Sequence, residues 1–456
     1  MKKFTATCQT LAAMACVSML TSTTGAQDLG VKAPPQDNPV ILVGTVHTVS
    51  NGTIENGMVM FDDGVITTVG DAEMLQRMRL TEDVEVIELP EGMHIYPGLI
   101  GANTIVGLTE ISSVRATLDY SEVGEFTPEA RAIVSVNPDS TIIPVTRSAG
   151  IMTVGVLPQG GNITGRAAVI RMDGWTWEDL AIEQDAGLVV NWPSVRPSSA
   201  WWVTTPREEQ IARAQRRLRE IDEFFTSAAS YLDAKAADES VPTDIRYDAM
   251  APALRGEKPV YIRANEVQQI ESAVEWASGR GLKAIIVGGR DAAMCADLLK
   301  AKDVGVIVDG VHRLPGDRDD FYDEPFTLPS RLEAAGVRWC LASGEETAHE
   351  RNLAHNAGTA VAYGLDPEAG IRAITLSAAE LLGVADRIGS IEEGKAATLI
   401  VTDGNPMEVT TQTWIAYIDG RRISLADKQK ILTEKYLEKY RQLGLIGEEE
   451  GADEPE

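Results

Sequence analysis

The chain has 456 residues, 44% of them hydrophobic and only 5% aromatic, with a formal net charge of −27. At about 100–200 residues per domain this excludes a peptide or minimal module and leaves room for two or three domains, or one large α/β barrel with an accessory unit. The charge excludes a nucleic-acid partner, because a phosphate backbone would be repelled, and four cysteines are too few for a disulfide scaffold.

Two positive charges at Lys2 and Lys3 precede an uncharged, mostly apolar run from Phe4 to Leu20, and the small residues Thr24-Gly25-Ala26 stand before Gln27. That order predicts a secretory signal over residues 1–26. The run is too short and too rich in Thr and Ser for a membrane span. Ala13, three before Cys16, is not the large aliphatic residue that lipoprotein processing prefers. With no second long apolar run, the expected product is secreted or periplasmic and has no transmembrane span. Cys295 and Cys340 remain after cleavage, and the sequence leaves open whether they pair.

From Pro39 to Leu89 the pattern is short β: Val40–Val43, Gly57–Phe61, Val65–Val69 and Val84–Leu89, with Asp62-Asp63-Gly64 as a hairpin turn. Only Ala72–Met78 has helical period. From Ile95 to about Gly383, apolar runs alternate with helical stretches. The runs include Ile142-Ile143-Pro144, Ile151–Val156, Leu188–Val190, Val260–Ile262, Ala284–Val287, Val306–Val308 and Val337–Leu341; Glu208–Ala234 and Glu266–Gly279 read as helices. Such alternation predicts a parallel sheet, and its length an eight-stranded barrel. After Ile388 the β pattern returns in Thr398–Val401 and Trp414–Ile418, followed by a charged helix over Asp427–Leu443 and an acidic tail. The expected fold is therefore α/β: a (β/α)8 TIM-type barrel over residues 95–387, a small β-sandwich made jointly by residues 38–94 and 388–424, and a C-terminal helix and tail over 425–456.

Gly160-Gly161-Asn162-Ile163-Thr164-Gly165 has the glycine spacing of a phosphate loop but no following Lys-Ser or Lys-Thr, so it reads as a turn. Trp175, Trp177, Trp192, Trp201 and Trp202 cluster without lysines between them, which favours packing over a stacking platform. Asp317, Asp319, Asp320, Asp323 and Glu324 form an acidic loop that lacks the spacing of a Ca²⁺ loop.

Two stretches carry a family resemblance. Ile95-Tyr96-Pro97-Gly98-Leu99-Ile100-Gly101-Ala102-Asn103-Thr104-Ile105 resembles the first barrel strand of the amidohydrolase superfamily, where a Pro-Gly-Leu-Ile-Asp-Ala-His-x-His run enters the metal site. Gly389-Ser390-Ile391-Glu392-Glu393-Gly394-Lys395-Ala396-Ala397-Thr398-Leu399-Ile400 is similar to that superfamily's return into its sandwich. Arg372–Ala379 with Leu382-Gly383-Val384, and Ala149–Val154, resemble the last helix and second-strand entry of imidazolonepropionase-like and dihydroorotase-like members. The likeness runs from about Val40 to Gly420. It implies hydrolysis of carbon–nitrogen bonds other than peptide bonds, with zinc or another divalent ion held by histidines on strands 1, 5 and 6, a strand 4 lysine or glutamate and a strand 8 aspartate; the metal lowers the pKa of a bound water and polarises the carbonyl.

Against that pattern the donors are missing. Asn103 and Ile105 stand at the strand 1 positions, Arg263 and Gly288 at those of strands 5 and 6, and no lysine lies between Lys32 and Lys235. Strand 8 ends Leu341-Ala342-Ser343-Gly344-Glu345-Glu346 without the aspartate, and the chain has only five histidines. The expectation is no metal and no other cofactor, with catalytic residues unassigned. Asn103, Arg263, Asp309, His312 and Glu345 are the candidate binding residues at the barrel mouth. There Arg263 either attracts a small anionic ligand, oriented by Asp309 and His312, or is locked in a salt bridge. Two functions follow: a catalytically degenerate ligand-binding or partner subunit, assembled with an intact relative or with copies of itself, or an active hydrolase using relocated residues. The N-terminal reading has its own check. Protein recovered from an exporting host should begin near Gln27 by mass spectrometry, and an intact Met1 or a lipid on Cys16 would contradict it.

Overall fold

The computed structural model describes residues 38–344 and 347–447. The expected signal segment, Glu345, Glu346 and residues 448–456 lie outside the described residues.

The chain opens with β1 (Val40–His47), β2 (Thr53–Asp62), β3 (Val65–Asp71), β4 (Glu85–Glu88) and β5 (His94–Pro97). β1 and β2, and β2 and β3, pair antiparallel. The β2–β3 turn has Asp63 at φ 47° and Gly64 at φ 80°, the left-handed pair that suits a twisted hairpin. One edge of β1 is shared, first by β4 and then by β5, both parallel to it.

A second sheet follows: β6 (Leu99–Thr104), β7 (Ile151–Val156), β8 (Ile163–Arg171), β9 (Ala181–Asn191), β10 (Val260–Ala264), β11 (Ala284–Gly288), β12 (Gly305–Asp309) and β13 (Trp339–Ala342). These pair in chain order, and β13 returns beside β6, so the barrel is nearly closed. The arrangement departs from an all-parallel (β/α)8 barrel, because β8 runs antiparallel to both β7 and β9. The reason is chain length: the links 157–162 and 172–180 are shorter than the dozen or so residues a parallel crossover needs. A further departure is Ile142-Ile143-Pro144, which belongs to a short helix, Ile142–Arg147, rather than a strand.

Helices cover the outer face. Val267–Gly279 shows why: Ile270, Ala273, Val274 and Ala277 form one buried stripe at helical spacing, and Glu266 with Gln269 makes a capping box at its start. Inside the barrel, Ile100, Ala102, Val189, Tyr261, Ile285, Val287, Ile307, Cys340 and Ala342 pack on the helix Leu376–Leu382, which plugs one end. Cys295 and Cys340 are both buried and not disulfide-bonded. Burial pushes the Cys295 thiol up to about 11 and raises Cys340 as well. Among the described residues no helix is long and apolar enough to cross a membrane.

The chain then rejoins its first sheet through β14 (Leu399–Thr402), β15 (Thr413–Ile418) and β16 (Arg421–Arg422). β14 lies antiparallel to β5, pairing Leu399 with Pro97 and Thr402 with His94. The two terminal segments therefore share one sheet of order β16-β15-β14-β5-β1-β2-β3. It curls until β3 meets the chain leading into β14: Ile66 N–H donates to Lys395 O and Ala397 N–H to Gly64 O, each at 2.8 Å. Inside the curl the rings of Phe61 and Tyr417 meet edge-on at 5.0 Å, among Leu42, Val59, Ile95 and Leu399. Removing a fully buried aromatic ring leaves a cavity that neighbours fill only in part, so Phe61→Ala should cost about 3–5 kcal/mol in urea denaturation. A loss under about 1 kcal/mol would show that the curl does not depend on this contact.

Candidate functional site at the barrel mouth

Alternation along the barrel strands selects the site. Side chains two apart face the same way, so Arg263 follows inward-facing Tyr261, Asp309 follows Ile307 and Asn191 follows Val189. The lower residues are core; the Tyr261 hydroxyl donates to Leu381 O at 3.1 Å. The upper ones stand at strand C-termini, where a barrel opens.

Arg263 is half-buried. Nη1 donates to Pro158 O at 2.7 Å and to Asn191 Oδ1 at 3.4 Å, and Nη2 donates to Leu157 O at 3.1 Å. Burial pulls its pKa down to about 10, opposed by the charge of Asp309, so it remains a cation at neutral pH. Its carbonyl partners lie in the β7–β8 link. Asn191 Nδ2 braces that link by donating to Gly160 O and Gly161 O at 3.0 and 2.8 Å. Gly160 and Gly161 have φ of 84° and 56°, so this glycine-rich stretch is a turn in the left-handed region that glycine enters without penalty. Of the two alternatives for Arg263, these neutral acceptors take the place of a salt bridge among the described residues.

Asp309 is held instead by Asn103, whose Nδ2 donates to Oδ1 at 2.7 Å. Burial raises the Asp309 pKa; the Asn103 hydrogen bond, then Arg263 and Arg313, oppose the rise. Asn103, Arg263 and Asp309 line one cavity of about 580 Å³, which Glu110, Tyr120, Gln159 and Thr347 also face. His312 is not among its lining residues. Its ring Nε2 lies 2.8 Å from Thr359 Oγ1 on the helix Leu353–Ala362, so it is not placed to orient a ligand beside Arg263. Glu345, the fifth candidate, lies outside the described residues.

Sequence reasoning missed Glu350. It is 1% exposed, and Ser343 Oγ donates to its Oε2 at 2.6 Å. A Cβ on Gly101 would collide with Oε1, so the carboxylate fills the space above a glycine where the resembling families carry Asp. Gly101 was the visible signal; its partner 249 positions on was not. The other sequence features separate cleanly. Trp192 is buried and bonds Ser272, whereas Trp175, Trp201 and Trp202 are exposed, contrary to the packing expected for all five. In the acidic loop, Asp317 pairs with Arg196 and Glu324 with Arg313.

The residues at the mouth do not fit the divalent ion of the resembling families. Gly288 has φ 100° and its Cβ position is filled by Asn265, so no imidazole can stand there without displacing that side chain. Asn103 turns its N–H groups toward Asp309, and a guanidinium shares the cavity. Asp309 facing a cation, and Glu110, whose Oε2 accepts from Thr141, fall short of the three or four nitrogen, sulfur or carboxylate ligands zinc takes. Among the described residues, no group of three or more His, Cys, Asp or Glu is arranged to hold a metal.

The Asn103–Asp309 contact carries a pH signature. Because burial raises Asp309 above its ordinary value, its contribution to stability is fully present below that ordinary value and is lost as pH rises through the raised one. Asn103→Ala removes a donor that favours the ionised carboxyl. The variant should lose about 1–3 kcal/mol where Asp309 is ionised and much less where it is protonated. Urea denaturation of both proteins from acid to neutral pH measures this, and an equal loss at every pH would refute it.

The sequence model of the amidohydrolase family matches residues 264–430. Amidohydrolase tasK of Hapsidospora irregularis is 23% identical over 394 residues, covering 80% of this chain and 39% of that protein. The chain thus spans about two-fifths of the length of this curated relative. Among solved structures, an amidohydrolase from Thermotoga maritima aligns with a TM-score of 0.72 at 22% identity, over 84% of this chain and 99% of that one. Molinate hydrolase aligns with a TM-score of 0.52 at 16% identity, over 86% and 95%. Fold, strand-entry motifs and family match agree: residues 264–430 match the amidohydrolase family, and the chain as a whole is similar to members of that superfamily.

Proposed function

We propose that this is an exported amidohydrolase-superfamily protein whose barrel mouth binds a small ligand through an anionic group, without metal-dependent hydrolysis. One observation carries the reading: Arg263 is a cation that lines the cavity and is oriented by carbonyl oxygens rather than neutralised by a salt bridge. Of the five N–H groups of a guanidinium, Nε–H and one on Nη2 have no acceptor among the described residues. An incoming carboxylate would accept from such donors with charge assistance. The protein then acts as a ligand-binding subunit, beside an intact relative or a second copy of itself.

A second reading has one observation in its favour. Asp309, with its raised pKa beside Asn103 and Arg263, has the character of a proton-transfer group, which a metal-free hydrolase of carbon–nitrogen bonds would use.

Calorimetric titration with dicarboxylates and N-acyl amino acids separates the two. Under the binding reading, a ligand binds wild-type protein without turnover, Arg263→Ala weakens it about tenfold or more, and purified protein holds well under one equivalent of zinc. Zinc near one equivalent, lost with amidase activity on chelation, would overturn that reading. Turnover that resists chelation and disappears in Asp309→Asn would establish the second.

A further inference from the structure

A second cleft, of about 280 Å³, lies across the segment Thr347–Asn352 from the mouth, where the barrel, the curled sheet and the C-terminal helix Lys428–Gln442 meet. Arg351 and His355 line it from the barrel side, Lys430 from that helix, and Gln412 from the link between β14 and β15. The side chains of Arg351 and Lys430 make no hydrogen bond or ion pair among the described residues. That is unusual company in a chain with 68 carboxylates against 41 lysines and arginines. Other cations of the chain have partners, as Arg147 has Asp173 and Arg196 has Asp317.

One carboxylate is present, and it is already engaged. Asp427 Oδ2 accepts from Ser148 Oγ at 2.6 Å and Oδ1 from the Lys430 backbone N–H at 2.8 Å, capping the helix. These bonds hold its pKa below the ordinary range although burial opposes them. With Asp427 ionised, Arg351 and Lys430 leave the cleft one positive charge in excess. Burial and the neighbouring His312 keep His355 below its ordinary value, so it serves as a neutral hydrogen-bonding group.

We propose that this cleft is a second binding site, specific for an oxyanion group, phosphate or carboxylate, of a small molecule. Arg351 supplies the forked donor that matches such a group and Lys430 a point charge opposite it, with the Gln412 amide available to fix orientation. The site is independent of the mouth, because none of these residues lines that cavity.

The test is calorimetric titration of the full chain at low ionic strength, with inorganic phosphate and succinate as separate probes. Wild-type protein should bind at least one of them saturably. The double variant Arg351→Gln/Lys430→Gln should bind it at least tenfold more weakly, equivalent to about 1.4 kcal/mol, whereas Arg263→Ala should retain this binding. Both cations are exposed, so their replacement leaves the core intact, and an unchanged thermal midpoint verifies it. Binding of phosphate alone or succinate alone identifies which oxyanion the site takes. No saturable binding of either probe by wild-type protein, or equal affinity in wild-type and double variant, overturns the proposal. Loss of binding in Arg263→Ala alone would assign the anion to the mouth instead.

Discussion

A guanidinium held inside the opening of a barrel must be met by oxygen, because an uncompensated buried charge is too costly to keep. Arg263 meets that demand with the carbonyls of Leu157 and Pro158 and the amide of Asn191, and much of the local architecture serves the arrangement. The carbonyls sit where they do because β7 turns directly into β8. A parallel crossover would carry the chain out to a helix on the barrel surface, whereas the hairpin keeps residues 157–162 over the mouth. Gly160 and Gly161 let the link turn sharply, and Asn191 fastens it. The reversed strand and the cation are thus parts of one device. That device also makes the opening hostile to a divalent ion.

The composite sheet answers a different need. A strand edge left open at each end of the chain would invite pairing with other molecules; joining β14 to β5 removes two such edges at once. The passage from sheet to barrel occurs at Pro97-Gly98-Leu99. There Gly98 N–H donates to Thr398 O at 2.9 Å, and a Cβ on Gly98 would collide with Met152. The glycine of the family's entry motif is therefore required by close approach of the two units, whatever the chemistry beyond it.

The mouth cavity and the second cleft are separated by a thin wall. The helix Ile142–Arg147 presents Ile142 to the cavity and is followed by Ser148 at the cleft. The 3-10 segment Thr347–Asn352 turns Thr347 and Ala348 to the cavity and Arg351 and Asn352 to the cleft. Glu350 is buried within that same segment against Ser343 and Gly101. A buried carboxylate thus anchors this short segment between the two openings.

The features legible in the sequence were those set by local periodicity and turn chemistry. The Asp62-Asp63-Gly64 hairpin, the runs that became β7 and β9 to β13, the Val267–Gly279 helix and the glycine-rich turn all follow from short-range patterns. The inward positions of Arg263 and Asp309 follow too, since period two places a residue on the face of its second neighbour. The identities Asn103, Ile105, Arg263 and Gly288 at the positions compared with the resembling family were equally visible, because residue type needs no structure. The reversal of β8 was not, since Ile163–Arg171 looks like any buried strand until its short links are weighed. Nor could the sequence decide partners. Asn103 and Asp309 lie 206 positions apart, the His312 ring turns to Thr359, and Glu350 fills a gap left at Gly101. Residue type and spacing pointed to Asn103, Arg263 and Asp309 at the barrel mouth, but placed His312 there as well, which does not line the cavity. Closure of the sheet alone decided which of them touch, because hydrogen bonding between distant strands depends on distances that no local pattern encodes.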